Sequence, residues 1–307
     1  MGRWKGIRTI EYCEQNQRDL VIALGFFDCI HKGHIKLIDE CKLMAFKKSC
    51  SSAVFTFSNS PFEILGKSCG QILTFEERLY KLDNLHVEFC VKAFFDKTFS
   101  QLSPIQFLDN FIRYMSVKGI VVGKDYTFGK KGEGNISTLA KWCEENSVEL
   151  SIVDFERDNG KKIASTDIRD LLMNGDLKKA NDYLVKPYFV IGKVIHGSKR
   201  GRNIGFATAN LEYPADKLKI QPGAYYTRTC INGVWLKSVT NVGEHPTFDD
   251  GNFNIESHVI YYDGDIYGEK IIVEFLERIR DIRKFSSKDE LAEQITKDIQ
   301  FAMNSDL

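Results

Sequence analysis

The chain has 307 residues, enough for two domains at ~150 residues each. Its 43% hydrophobic and 27% charged content is that of a folded globular protein and excludes an extended disordered chain. The 42 Lys and Arg offset 42 Asp and Glu, which excludes a whole-molecule field for nucleic acid or an anionic membrane; any anion must be held by a local site.

The first ten residues, MGRWKGIRTI, lack the apolar core of a signal peptide, and Gly6 stands where a myristoylation signal requires Ser or Thr. The longest apolar stretch, Leu20 to Phe27, is far below the ~20 residues of a membrane span. The eight cysteines, at 13, 29, 41, 50, 69, 90, 143 and 230, form no C-x-x-C pair, and seven of them precede residue 150. That distribution suits free thiols in a reducing cytoplasm better than a disulfide framework. The expected protein is cytoplasmic, neither exported nor anchored.

Up to residue 185, apolar runs of strand length alternate with helical patterns. The runs are Leu20–Gly25, Ser52–Phe57, Val87–Phe94, Gly119–Gly123 and, more weakly, Glu149–Phe155. Between them, His34–Lys48 repeats apolar residues at roughly 3.6 positions, Thr74 with Glu77 reads as a capping box, and Ser103-Pro104 reads as a cap followed by a first-turn proline. Strands apolar on both faces predict a parallel sheet covered by helices, which binds ligands at the carboxyl ends of its strands. After Lys186-Pro187 short strands follow one another at 188–196, 225–231, 234–240, 254–262 and 270–276, with turn signals at Asn232-Gly233 and Asp263-Gly264. A small antiparallel barrel or sandwich is predicted, covered by a helix over Ser287–Phe301. The expected domains are 1–185 and 186–307.

Directly after the first expected strand comes Gly25-Phe26-Phe27-Asp28-Cys29-Ile30-His31-Lys32-Gly33-His34. Two of the six histidines lie three apart where a strand gives way to a helix, so their imidazoles share a face beside the unpaired N–H groups and positive dipole end of the first turn. This pattern is an anion site; two solvated helix residues are the plain alternative. Gly66-Lys67-Ser68 ends like a phosphate-binding P-loop, but Pro61 occupies the required leading glycine and no strand runs into it, so a Walker site is set aside. In the second half, His196 to Asn210 (HGSKRGRNIGFATAN) combines glycines with Lys199, Arg200 and Arg202. Such a loop can approach phosphate with backbone N–H groups and close charge. Only Phe206 is available for base stacking, which argues against nucleic acid.

GFFDCIHKGH resembles the G-F-D-x-x-H-x-G-H signature of the nucleotidyltransferases. VVGKDYTFGKKGEG (121–134) and ASTDIRDLL (164–172) resemble segments of bacterial FAD synthetases. The 197–210 loop is similar to the riboflavin kinase motif G-x-x-x-G-R-x-x-G-F-P-T-A-N, Asn241 to Phe248 to N-I-G-x-x-P-T-F, and Asn254 to His258 to the strand carrying the catalytic glutamate. Tyr267-Gly268 and the stretch from Arg278 to Phe285 match further signatures, so nearly the whole chain resembles the bifunctional riboflavin kinase/FAD synthetase family. Cys29 replaces a usual Gly, Asn59 and Ser60 replace a usual Pro and His, and Ala207 replaces a Pro.

The resemblance implies a Rossmann-like adenylyltransferase domain followed by a kinase barrel that together make FMN from riboflavin and FAD from FMN, with ATP and Mg2+. By the same resemblance His31 and His34 hold the phosphates during adenylyl transfer; Gly25, Phe26, Asp28, Gly123 and Asp125 contact nucleotide or flavin; and Ser165, Thr166 and Arg169 grip the outer phosphates, where simple helix capping by Ser165 is the plain alternative. Gly197, Lys199, Arg202, Gly205, Asn241 and Arg280 contact the kinase substrates, and Thr208 and Asn210 hold Mg2+. Glu256 is the general base on the ribityl hydroxyl; the polar member of an alternating strand is its plain reading. ATP, riboflavin and FMN are the expected partners, with no nucleic acid and no membrane. The weighed alternatives are a kinase with an impaired adenylyltransferase half, and a flavin-binding regulator without turnover.

Overall fold

A computed structural model describes residues 6–66, 69–154, 156–158, 160–196, 206–244 and 253–305. The chain forms two compact units, Trp4–Ser165 and Thr166–Leu307, the latter with residues 1–3. The division falls ahead of the expected 185/186 border.

The first unit is built on a six-stranded parallel sheet. In chain order it contains β1 (Arg8–Glu11), β2 (Asn16–Leu24), α1 (Lys32–Lys47), β3 (Ser51–Phe57), α2 (Pro61–Ile64), α3 (Phe75–Asn84), β4 (Phe89–Ala93), α4 (Pro104–Tyr114), β5 (Met115–Gly123), α5 (Ile136–Glu145), β6 (Glu149–Val153) and a two-residue hairpin, β7 (Arg157–Asp158) with β8 (Lys161–Lys162). The sheet order is β1-β4-β3-β2-β5-β6. Strands β2, β3 and β4 succeed one another toward one edge, whereas the chain returns through α4 to place β5 on the other side of β2. The strand order therefore reverses between β2 and β5, which opens a crevice at their carboxyl ends.

Leu20 to Leu24 are buried without exception, as a central strand covered on both faces requires. The expected capping box forms, Thr74 Oγ1 accepting from Glu77 N–H with Glu77 reaching back, and the expected Ser103 cap is a box as well, its Oγ accepting from Gln106 N–H with Gln106 reaching back. On one side of the sheet Tyr12 packs edge-on against Phe55 and Phe111 and stacks on Phe107, with centroids 5.2 to 5.7 Å apart. Strand β1 and the β7–β8 hairpin were not expected; at four and two residues, with a polar majority, neither carries a period-2 apolar signal.

Helix α6 (Ser165–Asn174) starts on the last residue of the first unit and runs on in the second, which holds all of α7 (Leu177–Tyr183). Both belong with the barrel by their bonds. Gln221 N–H donates to the Leu172 carbonyl (3.1 Å), Asn181 Nδ2 donates to the Phe275 carbonyl (2.9 Å), and Tyr188 N–H donates to Asn181 Oδ1 (2.8 Å).

The barrel consists of β9 (Phe189–Ile195), β10 (Ala209–Leu211), β11 (Gly223–Ile231), β12 (Val234–Glu244), β13 (Phe253–Val259) and β14 (Lys270–Arg280), closed in the order β10-β13-β12-β11-β14-β9. Asn232 and Gly233 turn β11 into β12 with φ of 51° and 84°, the left-handed pair that a two-residue hairpin requires. Inside, Thr227, Thr229, Ser238, Thr240 and Ser257 are fully buried and bond in a closed ring at 2.7 to 3.2 Å. The final helix, α8 (Lys288–Asn304), is capped by Ser287 and docks through Asp298, 2% exposed, which accepts from Arg280 Nε (3.0 Å) and Nη2 (2.7 Å).

Candidate active sites

The turn after β2 delivers the first site to the β2/β5 crevice. Gly25 is required there because an added Cβ would meet the Phe27 ring at 2.8 Å. Asp28, 3% exposed, anchors the turn inward, accepting from Ile72 N–H at its carboxylate (2.9 Å) and from Leu73 N–H at its carbonyl (2.9 Å). Phe26 rests on Arg78 (4.8 Å to the centroid) and packs edge-on against Phe62.

His31 is the N-cap of α1, and its Nδ1 accepts from Gly33 N–H (3.0 Å) and His34 N–H (3.3 Å). His34 returns the bond, its Nδ1 accepting from His31 N–H (3.4 Å). The rings stack with centroids 3.9 Å apart and 18° between planes. Gly33 permits this, since a Cβ there would sit 3.0 Å from His31 Cε1. The amides of His31, Gly33 and His34, open to an anion by sequence alone, instead donate to the two imidazoles. A ring nitrogen that accepts an N–H carries no proton, so each neutral ring holds its proton on Nε2 and is a donor there. Burial, with Lys81 and Lys162 nearby, lowers His31 to about 4; burial, then His31 and the same lysines, holds His34 well below its ordinary value.

A cavity of about 200 Å³ opens on this pair. His31, Gly33 and His34 line it together with Gly123 and Asp125 from the end of β5, Glu156 and Lys162 around the β7–β8 hairpin, and Ser165. Five sequence-predicted residues thus converge: His31, His34, Gly123, Asp125 and Ser165. Thr166 and Arg169 follow on α6, Thr166 exposed and Arg169 buried, within the second unit. Lys162, which pairs with Asp125, was missed; only its position two residues before the A-S-T-D-I-R segment could have flagged it.

Cys29, fully buried, has Sγ 3.3 Å from Ser165 Oγ, and burial first, then Asp28, pushes its thiol up to about 12. Ligand atoms of Cys29, His31 and His34 lie within 4.8 Å of one another. A metal-bound imidazole donates its second N–H to an acceptor, whereas here both second nitrogens accept; the trio suits an anion rather than a cation. Asn59 makes a reciprocal pair with the Phe95 backbone, at 2.8 Å in each direction, and Ser60 is the buried N-cap of α2.

The second site is a cavity of about 250 Å³ lined by Thr208, Asn210, Ser257 and the 262–267 connection. Across three strands Asn210, Glu256 and Asn241 are register partners, so one rung carries all three on one face of the sheet. Glu256 does not line the cavity itself but stands beside Asn210, which does. Asn241 Oδ1 is buried with no hydrogen-bond partner among the described residues, an acceptor available to a ligand. Arg280 is engaged by Asp298. Gly197, Lys199, Arg202 and Gly205 lie outside the described residues.

The FAD synthetase family model matches residues 13–167, and the riboflavin kinase model matches residues 184–305. The bifunctional riboflavin kinase/FMN adenylyltransferase of Listeria monocytogenes is 37% identical over 298 residues, covering 96% of this chain and 94% of its own. That of Bacillus subtilis is 37% identical over 296 residues, covering 94% and 93%. A crystal structure named for a macrolide-efflux protein of Streptococcus pneumoniae matches with a TM-score of 0.87 and 34% identity, covering 98% of this chain and all of that one. Its name speaks of export; among the described residues here, no helix is long and apolar enough to cross a membrane. The paired histidines at a parallel-sheet switch point, the closed barrel and these full-length likenesses agree, and the chain belongs to the bifunctional riboflavin kinase/FMN adenylyltransferase family.

Proposed function

We propose that the cavity at the β2/β5 crevice adenylylates FMN and that the cavity beside β10 and β13 phosphorylates riboflavin, each with ATP. The observation that carries the first assignment is the stacked imidazole pair lining the 200 Å³ cavity. An FMN phosphate oxygen attacks the α-phosphorus of ATP as the bond to pyrophosphate breaks; the nucleophile is already anionic, so the protein supplies position and charge stabilisation rather than a base. Two neutral donors fixed by the backbone need no reorganisation as charge builds on the phosphate oxygens. Ser165 and Lys162 then receive the departing phosphates, a task the family resemblance also gives to Thr166 and Arg169.

At the second cavity Glu256 takes the proton of the ribityl 5′-hydroxyl as that oxygen attacks the γ-phosphorus and ADP departs. Thr208 and Asn210, which line this cavity, would offer side-chain oxygens of the kind that suits Mg2+. When bound there, Mg2+ offsets phosphate charge. The functional border is placed at 185/186.

Two of the three departures in the first half, Cys29 and Asn59, are accommodated by the fold. Cys29 lies outside the left-handed region that would demand glycine, and Asn59 is committed to the Phe95 backbone, so neither vacates a catalytic position. The test is chromatography of flavins after incubating the protein with riboflavin, ATP and Mg2+. FMN followed by FAD is expected; FMN alone, or riboflavin unchanged, overturns the reading.

A further inference from the structure

Helix α3 sends two buried cations, Arg78 (0% exposed) and Lys81 (4%), from adjacent turns toward the β2–α1 turn. Arg78 Nη1 donates to the Phe26 carbonyl (3.0 Å) and to Thr56 Oγ1 (2.9 Å), Thr56 donates to the same carbonyl (2.6 Å), and Nη2 donates to Gln71 Oε1 (2.8 Å). Lys81 Nζ donates to the Cys29 (3.1 Å) and Ile30 (3.3 Å) carbonyls. Three of the five carbonyls from residue 26 to residue 30 are therefore held by α3.

In a trans peptide the N–H points opposite to the carbonyl, so these bonds aim the amides of Phe27, Ile30 and His31 away from α3. The His31 amide is the one that fixes the His34 ring. The turn cannot hold this shape unaided: Phe27 and Ile30 have φ of 54° and 47°, and a left-handed β-branched residue persists only where its surroundings impose it.

We propose that Arg78 and Lys81 are positioning residues for adenylyl transfer, fixing the peptide planes of residues 26–31 and through them the orientation of the two imidazoles. The inference rests on the adenylyl reading of this cavity. Buried carbonyl clamps of this kind serve the transition-state fit more than substrate affinity, because the imidazoles they orient meet charge that develops during the reaction.

The test uses the full chain, measuring initial rates of FMN to FAD against both substrates, with riboflavin phosphorylation in the same preparation as reference. Lys81→Met and Arg78→Met are expected to lower kcat for FAD formation about 100-fold, the scale set by ångström misplacement, with KM for FMN within about threefold of wild type. Arg78→Lys keeps a cation near the Phe26 carbonyl but loses the fork, and kcat should stand about fivefold below wild type at unchanged KM. Wild-type kcat in either Met variant, or Arg78→Lys as impaired as Arg78→Met, overturns the proposal. Where a Met variant melts below assay temperature, Arg78→Lys decides alone: a fivefold fall in kcat supports the proposal, and none refutes it. His34→Ala is assayed in parallel. If it retains FAD formation the cavity assignment fails; if it loses it while the α3 variants do not, only the positioning role fails.

Discussion

His31 and His34 cap each other: each ring accepts, at Nδ1, a backbone N–H belonging to the other residue, and the rings stack 3.9 Å apart. The helix start thus spends its polar amides on two imidazoles and presents Nε2–H groups in their place. Removing His34 deletes one donor and one half of the cap. His34→Ala should abolish FAD formation from FMN, leave riboflavin phosphorylation within about twofold, and lower first-unit stability by ~1 kcal/mol. Glu256→Gln should do the reverse, ending FMN formation while FMN still becomes FAD. Separate flavin assays with each variant check both halves; equal loss of both steps in both folded variants refutes the division of labour.

The neutral pair makes a pH prediction. His31 titrates near 4 when folded and near 6.5 when unfolded, so between those values the unfolded state binds more protons. Its contribution to stability is full above pH 6.5 and is lost as pH falls toward 4; His34, shifted the same way, adds to the slope. The midpoint of urea unfolding, followed through first-unit signals, should decline from pH 6.5 to 4.5 in wild type and less in His34→Ala. Adenylyl transfer should show no limb near pH 6.5 from these residues. A wild-type kcat that falls as pH rises through 6.5 would mean that they act as cations.

Much of this was legible because period and punctuation agree. The run at residues 20–24 reads as a central strand, Thr74 and Ser103 announce helices, and Asn232-Gly233 announces a hairpin; each is a local signal that the tertiary structure repeats. What escaped is set by contacts distant in sequence. Strand β1 earns its place by pairing with β4, about 80 residues away in the register Arg8↔Phe89. Lys162 joins the site through a hairpin too short to carry a pattern, and the fate of the first-turn amides depended on a rotamer of His31 that residue identity does not specify.

Lys162 pairs with Asp125 where both line the first cavity, in a partly exposed setting in which such a pair adds little stability. Its value is as a cation that can pass from the carboxylate to a phosphate oxygen when ATP enters. Lys162→Ala should raise KM for ATP in FAD formation about tenfold, the scale of one charge-assisted contact, while the melting temperature changes by less than about 1 °C. Lys162→Arg should restore most of the affinity. Substrate-saturation curves for FAD formation decide this; an unchanged KM in the Ala variant removes Lys162 from the site.

The hydroxyl ring in the barrel makes the strongest structural prediction. Thr227, Ser238, Thr229, Ser257 and Thr240 each have two ring neighbours, so every hydroxyl can donate once and accept once with no buried group left over. Thr229→Val keeps volume and β-branching but leaves Ser238 and Ser257 each short of one partner, which should cost about 2 kcal/mol. Ser257 shares β13 with Glu256, its immediate neighbour, and also lines the kinase cavity, so loosening the ring is expected to reach catalysis. Riboflavin phosphorylation by Thr229→Val should fall several-fold in kcat while FAD formation from FMN stays at the wild-type rate. Replacing all five hydroxyl residues together by Val or Ala should be less damaging to stability than the sum of single changes, because no orphaned partner remains. Denaturant melts of the singles and the quintuple variant measure this directly; strict additivity would show that the five bonds act independently.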